Sequence, residues 1–508
     1  MINSFAYNIP FISIFLLMTA AIITPLLPKK NRLPEKLSCY VIGTVAILSA
    51  YLLYSLTSSG QNLAFNFPMG HFPAPWGNEL RAGPLEAVLA LVFCVSMLLS
   101  LTGNFASTAE DIAPNRRQIF CVLVNLLTAS LLALTYTNDL FTAYVFIEIN
   151  TIAACAIVAV KEGAETTRAA LRYLIMSLVG SGLVMIAICL LYDLTGHLLM
   201  QHMHEAIKVI VATKKYLMPL TVSLALITVG LAIKSALYPF ASWLPDAHGS
   251  STNASSAILS GLVLKGHIFT IIKIFYRVFG LDVIHLLRMD TAIFILGIAA
   301  MIMGSVHALR QTNVKKMIAW SSVAQVGYIF LGVGLNTTAG IAAACLHIIV
   351  HACIKPMLFT AAGGLSNAAG HKKGLHSLMG TFYVNRWAGL GLTAGAFSMM
   401  GIPAFAGFAS KLSLTLASFD HPFIIFSLAA LATSSVLNAL YYVPAVIVVL
   451  THTRLPDGQD KDAHKNFTAP APTNLYKISM FIFLALNFYL GLFCVPLLRL
   501  ITRGVNVF

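Results

Sequence analysis

Charged side chains are scarce in this sequence, at 10% of its 508 residues, where a soluble globular chain carries about a quarter. Acidic residues are the scarcer kind, 18 against 32 basic. Polar stretches are scarce too: Pro456 to Asn474 is the one segment that reads as a polar linker. These shortages leave no room for a soluble domain. Eight cysteines occur without a CxxC or a Cys/His ligand spacing, so neither disulfides nor a metal cluster is expected. Most of them, as at Cys94, Cys155, Cys189, Cys345 and Cys353, fall in apolar runs, where cysteine acts as packing. No basic segment precedes the first apolar run, which is therefore expected to be a retained span, not a cleaved signal.

What the sequence has is apolar length. Hydrophobic residues make up 58% of it, and runs of about 20, enough to cross a hydrocarbon core of about 30 Å, recur throughout. Hydropathy predicts an all-α polytopic membrane protein of about 14 transmembrane helices. They lie near 11–27, 39–56, 85–102, 119–136, 140–160, 171–191, 219–243, 256–278, 291–306, 317–335, 340–363, 387–416, 424–451 and 475–500.

The net charge of +14 resembles a nucleic-acid signal until the basic residues are placed. They sit in short loops, as in Lys29-Lys30-Asn31-Arg32, Arg116-Arg117, Lys315-Lys316 and Lys372-Lys373, and form no contiguous basic surface. No nucleic-acid partner is expected. Loops after odd-numbered spans hold most of the charge, including Lys36, Lys161, Arg168, Arg310, Arg386, Arg454, Lys461 and Lys465. The positive-inside bias then puts those loops in the cytoplasm and both termini outside. The loop 192–218 disagrees, with Lys208, Lys214 and Lys215 on the outer side. A missed or extra span there would flip half of the assignment.

Two spans contain helix breakers. The seventh carries Lys234, then Pro239 and Pro245; the twelfth carries Gly401-Ile402-Pro403 and Gly407 just before Lys411. Broken backbone at membrane depth needs protein or a water-filled cavity to satisfy its freed carbonyls. Two broken helices with buried charges, well apart in the chain, suggest repeated transporter halves.

Further charges fall inside apolar runs: Glu148, Lys265, and His347, His351 and Lys355 at i, i+4 and i+8. On a helix the last three share one face over about 12 Å. A charge near a helix centre costs about 2.5–3.5 kcal/mol even on the lenient insertion scale. Five such charges (Glu148, Lys234, Lys265, Lys355 and Lys411) facing lipid would cost on the order of 15 kcal/mol, as much as a protein's whole net stability. They are expected to face the bundle interior or water. There, burial weakens a lysine's hold on its proton and a nearby carboxylate strengthens it, while imidazoles titrate near neutral pH and suit relay steps. The row reads as a proton pathway.

Simpler readings stand beside it. Glu148 with Lys234 also reads as a static ion pair, and His347 alone as a hydrogen-bonded core histidine. Lys273 and Arg277 are expected to snorkel to the interface, Glu86 to be interfacial, and Arg168 and Arg172 to be topology signals. His248 beside Asp246 is the single candidate for a catalytic pair.

Several motifs carry a family resemblance. Lys234-Ser-Ala-Leu-Tyr-Pro-Phe-Ala-Ser-Trp243-Leu-Pro-Asp246-Ala-His248 resembles the seventh-span signature of the proton-conducting antiporter-like subunits of respiratory complex I, Mrp sodium/proton antiporters and membrane-bound hydrogenases. Thr137-Asn-Asp139 through Glu148 is similar to the fifth-span motif, and Lys315 to Tyr328 to the "K-x-x-x-A-x-S-S-x-x-Q-x-G" stretch. His347 to Lys355 and Gly401 to Lys411 complete the set, which covers roughly residues 80–420.

The resemblance implies two inverted five-helix repeats, each with a broken helix, over 119–278 and 291–451. They would follow N-terminal spans in 1–118 and precede a cytoplasmic loop and last span in 452–508. It also implies a Glu148–Lys234 pair, a central Lys265, a connecting axis of His347, His351 and Lys355, and an exit at Lys411. Lys411 stands where the central complex I subunit has glutamate, and the long arm of the largest one is not expected. Gly70 to Glu79 resembles the "W-P-A-P-x-G-I-x-L" stretch of Mrp D-type subunits, although Gly83 stands where that family often has an acid. The expectation is a D-like, ion-translocating subunit in the inner membrane with other membrane subunits as partners. Protons are the cargo, with sodium as a second candidate, and no cofactor is expected. Hydrogenase-like or complex I-like membership is the alternative. A stand-alone solute transporter, a membrane enzyme and a scaffold are the rivals from other classes, and whether the chain serves an enzyme stays open.

Overall fold

The structure is a computed structural model describing residues 4–28, 32–58, 64–72, 77–451 and 471–508. Lys29, Lys30, Arg454, Lys461, Lys465, the stretch 73–76 and most of the polar linker lie outside the described residues. The chain is a polytopic all-α membrane protein. Among the described residues, 13 helices are long and apolar enough to cross a bilayer. They coincide with the expected spans except the twelfth, which is two shorter helices, Arg386–Met400 and Ala406–Ala417.

Burial is uneven, and the difference follows the chemistry. Every residue in the apolar windows of Asn253–Phe279 and Thr338–Ala368 is buried within the protein. These two helices carry Lys265 and the histidine row. The outer helices Leu33–Ser58, Ile424–Leu450 and Asn474–Leu492 bury only about a third, and the rest of their surface is mostly apolar, as a lipid solvent favours. The one sheet among the described residues is a two-stranded antiparallel hairpin, Phe65–Pro68 with Glu79–Ala82.

The discordant loop 192–218 contains a 14-residue helix, Met200–Thr213. At 1.5 Å per residue it reaches about 21 Å, too short to cross. Met200, Met203 and Ile207 are buried at i, i+3 and i+7, while Lys208, Lys214 and Lys215 are exposed. It is an amphipathic surface helix, so it adds no crossing. The last span also ends earlier than expected, at Leu492, and a second amphipathic helix, Cys494–Asn506, follows it.

Both expected breaks are present. The seventh span stops at Lys234 and resumes as Phe240–Trp243 and Leu244–Ser250. The eighth bulges into π-helical turns at Leu259–Val263 and Ile274–Phe279, a distortion often found at functional sites.

Candidate functional site

Each broken helix leaves carbonyls without their helical partners, and basic side chains take several of them. In the seventh span Trp243 Nε1 donates to Ile233 O at 3.3 Å. Lys373 reaches Gly249 O at 2.8 Å and Lys315 reaches Ser251 O at 3.1 Å. In the twelfth, Lys411 Nζ donates to Met399 O at 2.8 Å, Met400 O at 3.2 Å and Ser435 Oγ at 3.1 Å. Its three protons are thus all placed, at the negative end of the first half-helix.

Two glycines make the second break possible. Gly401 has φ +90°, a left-handed conformation, and a Cβ there would meet Lys411 Cδ at 3.0 Å. A Cβ on Gly407 would sit 1.8 Å from Ser398 O. The two half-helices therefore cross in near backbone contact.

Lys234 is fully buried and pairs with Glu148 Oε1 at 3.3 Å; the glutamate side chain keeps 21% of its surface exposed. Thr151 Oγ1 accepts a second bond from Lys234 at 2.8 Å, and Ser181 donates to Glu148. Lys265 donates to Ser260 O, five residues back across the π-turn. From there hydroxyls continue: Ser260 Oγ lies 2.8 Å from Ser322 Oγ, and the adjacent Ser321 accepts from Lys355. Lys355 also donates to Ile318 O at 3.1 Å.

His347, His351 and Lys355 do share one face of Thr338–Ala368, and all three are fully buried. The two imidazoles stack at 6.2 Å. His347 Nδ1 lies 3.0 Å from Ser410 Oγ, one residue before Lys411, and its ring stacks on Tyr328 at 5.4 Å. Lys411 sits over the same Tyr328 ring at 4.9 Å. Lys265 thus meets the Lys355 end of the row, and Lys411 meets the His347 end. Lys234 and Lys265 share no direct hydrogen bond among the described residues.

Between those ends, both ring nitrogens of His351, Nε2 of His347 and both amide atoms of Gln325 are buried without a protein partner among the described residues. Buried polar groups are normally satisfied, by water where protein does not serve. Gln325 stands between Ser321 and Tyr328 at helical spacings of four and three, on the same face.

Three expectations need correction. Glu86 is not interfacial and Arg277 does not snorkel: they form a buried ion pair, their side chains only 2% and 4% exposed. Gly83 N also donates to Glu86 at 3.0 Å, and Arg277 stacks on Phe508 at 3.8 Å. Lys273 is likewise buried, and it donates to Leu134 O, Thr135 O and Thr137 O. It caps the C-terminal end of Arg117–Tyr136. Position near a span end suggests an interface, and periodicity does not reveal the helix end packed against it. Arg172, read as a topology signal, pairs with Asp246 at 2.7 Å, as does Lys316 at 3.1 Å. Asp246 therefore faces these cations, while His248 stacks on Phe359 at 4.6 Å.

Sequence reasoning does not single out Ser260 or Ser322 as site residues, nor Thr151, Ser410, Ser435 or Tyr328. Ser322, Tyr328 and Ser410 fall inside the quoted motifs without a role assigned to them, and the others show only a hydroxyl in a largely apolar span, where serine commonly bonds its own backbone.

The family described as NADH:quinone oxidoreductase/Mrp antiporter, transmembrane, matches residues 137–437. The N-type subunit of the NADH-quinone oxidoreductase of Desulforudis audaxviator is 32% identical over 383 residues, 73% of this chain and 72% of that protein. The D-type subunit of the Na(+)/H(+) antiporter of Bacillus subtilis is 28% identical over 492 residues, 95% and 94% of the two chains. Among solved structures, a chain of the Mrp complex from a Dietzia species superposes with TM-score 0.86 at 21% identity, covering 99% of this chain and 97% of that one. A chain of the membrane-bound sulfane sulfur reductase, an archaeal respiratory membrane complex, gives 0.84 at 25% identity, covering 99% and 96%.

Proposed function

The chain belongs to the NADH:quinone oxidoreductase/Mrp antiporter transmembrane family, and from that premise we propose that this antiporter-like subunit carries protons within a multi-subunit cation/proton antiporter, as a D-like member. The near full-length similarity to a D-type antiporter subunit favours that position. Two five-span repeats, 119–278 and 291–451, would each supply one broken helix and its lysine. Both termini lie outside in this reading, which the non-crossing helix Met200–Thr213 leaves intact.

The link between Lys265 and Lys355 carries the proposal: Lys265 donates to Ser260 O, the Ser260 and Ser322 hydroxyls meet, and Ser321, next to Ser322, accepts from Lys355. It brings together two lysines on separate, wholly buried helices. Water would have to carry the proton past Ser260 O, which only accepts, and from Ser322 to Ser321, whose hydroxyls both donate to Ile318 O. Transport would begin at Glu148 and Lys234. Two unit charges 3.3 Å apart attract by about 5 kcal/mol at an effective dielectric of about 20, before desolvation. Moving or screening Glu148 removes that attraction, and the buried lysine then favours its neutral form. The proton passes by water to Lys265, over that link to Lys355, and along His351 and His347 to Lys411. Water on that last stretch would be held by Gln325 and the imidazole nitrogens that have no protein partner among the described residues.

The energy source defines a second reading, favoured by the 32% identity to an oxidoreductase subunit and the likeness to a respiratory reductase chain. Redox partners, in place of a sodium gradient, would then drive the same path. One experiment tests the common part. Glu148→Ala, Lys234→Ala and Lys411→Ala are each assembled into the complex, and proton movement is followed in everted vesicles. Normal assembly with transport reduced at least tenfold is expected; full transport in all three overturns the proposal. The proteins that co-purify decide between the two drives.

A further inference from the structure

The helix Ile424–Leu450 carries no residue of the ionisable row, yet half of its buried residues are polar. Ser427, Ser434, Asn438, Tyr441 and Tyr442 are all buried, whereas Ile425, Val436, Leu440 and Ile447 face outward. On an outer helix with lipid available, apolar side chains would fill the buried positions at no polar cost.

The polar groups have specific partners. Tyr442 OH lies 2.7 Å from Ser321 Oγ, the hydroxyl that accepts from Lys355. One turn earlier, Asn438 Nδ2 donates to Met399 O at 3.2 Å, the carbonyl that receives Lys411 at 2.8 Å. Tyr441 OH donates to Asn438 Oδ1 and fixes the amide. Ser435, three residues before Asn438, accepts directly from Lys411. Residues four apart on one helix face thus hold the seats of two lysines that belong to different elements.

We infer that the helix Ile424–Leu450 couples Lys355 to Lys411, with Tyr442 and Asn438 as the positioning residues. The inference rests on the proton-carrying role proposed above. Ser321 donates to Ile318 O, so Tyr442 is the donor to Ser321. When Lys355 loses its proton its nitrogen can accept from Ser321, which turns that hydroxyl away from Ile318 O and re-aims the Tyr442 bond. The change reaches Asn438 through a rigid helical turn and alters the carbonyl on which Lys411 rests. Pro444, two residues past Tyr442, removes one backbone bond and gives the helix a place to bend there. Other titratable groups face these lysines: the charge of Lys355 reaches Lys265 and His248 on neighbouring elements and His351 on its own helix. Tyr328 and His347 face Lys411.

Tyr442→Phe, Asn438→Ala and the double variant test this in the assembled complex, with proton transport in everted vesicles measured against pH. Each single variant is expected to move the pH midpoint by about half a unit or more, and the double variant no further, because the two act as one unit. Lower rates with unmoved midpoints, or shifts that add, overturn the inference. If Asn438→Ala fails to assemble, Asn438→Ser reads the same midpoint. Lys411→Ala, measured with Glu148→Ala and Lys234→Ala, is the control: full transport in all three means that the proposed function fails. Loss of transport in them beside unmoved midpoints in the other variants means that the coupling alone fails.

Discussion

Ser260 and Ser322 place their hydroxyl oxygens 2.8 Å apart and so join the helix of Lys265 to the helix that supports Lys355. Neither residue is charged, and each could be replaced by alanine at small steric cost. A lost hydrogen bond of this kind is worth about 1 kcal/mol, too little to unfold a membrane bundle. Ser322→Ala and Ser260→Ala are therefore expected to assemble normally and to lower proton transport about five- to tenfold. The double variant should be little worse than either single one, since either breaks the same bridge. Vesicle transport normalised to the amount of complex checks this, and additive losses would mean that the serines act separately.

Lys355 tests whether the row moves protons or only holds charge. Arginine keeps the positive charge and can bond both Ile318 O and Ser321, the present partners. It does not release its proton under any transport condition. Lys355→Arg is expected to assemble and to lose transport at least tenfold. A static ion network would tolerate the exchange, and transport above half of normal would support that network.

Lys273 should behave in the opposite way. Its three protons are committed to Leu134, Thr135 and Thr137 carbonyls. It is a permanent cap, not a loading site. Lys273→Met leaves three carbonyls unpaired, at about 1–3 kcal/mol for each one left buried. The expected result is a complex with a lower melting temperature and a smaller yield, but near-normal transport per complex. Preserved melting with lost transport would move Lys273 into the pathway.

The contrast between Lys273 and Lys265 also shows where the sequence is legible. Both are lysines within one apolar run, eight residues apart, and the sequence alone orders them only by distance from the span's end. The spans, the two breaks and the shared face of His347, His351 and Lys355 could be read because they follow from local rules: hydropathy, proline and glycine, and helical spacing. What a lysine does depends on which other helix end or hydroxyl it meets, and that is a tertiary fact. Glu86 and Arg277 form a buried pair although they stand 191 residues apart. Ser321 and Tyr442, 121 apart, meet for the same reason. The amphipathic helix Met200–Thr213 is hidden differently: its lysines count as topology signals until its length is known.

The two glycines of the second break give the last prediction, because their substitutions separate backbone geometry from charge. At Gly407 an added Cβ would lie 1.8 Å from Ser398 O and 2.6 Å from the carbonyl carbon. No rotamer relieves a contact with backbone, so the half-helices must part. Overpacking of this kind costs about 1–3 kcal/mol, and here it also shifts the seat of Lys411. At Gly401 the Cβ meets only the flexible Lys411 chain at 3.0 Å, and the left-handed φ costs about 1–2 kcal/mol. Gly407→Ala is therefore expected to lose most transport and part of its assembly, while Gly401→Ala assembles and keeps a reduced rate. Transport and complex yield measured together distinguish them. Normal transport in Gly407→Ala would mean that the half-helices separate freely, and that close contact at the break does not fix the position of Lys411.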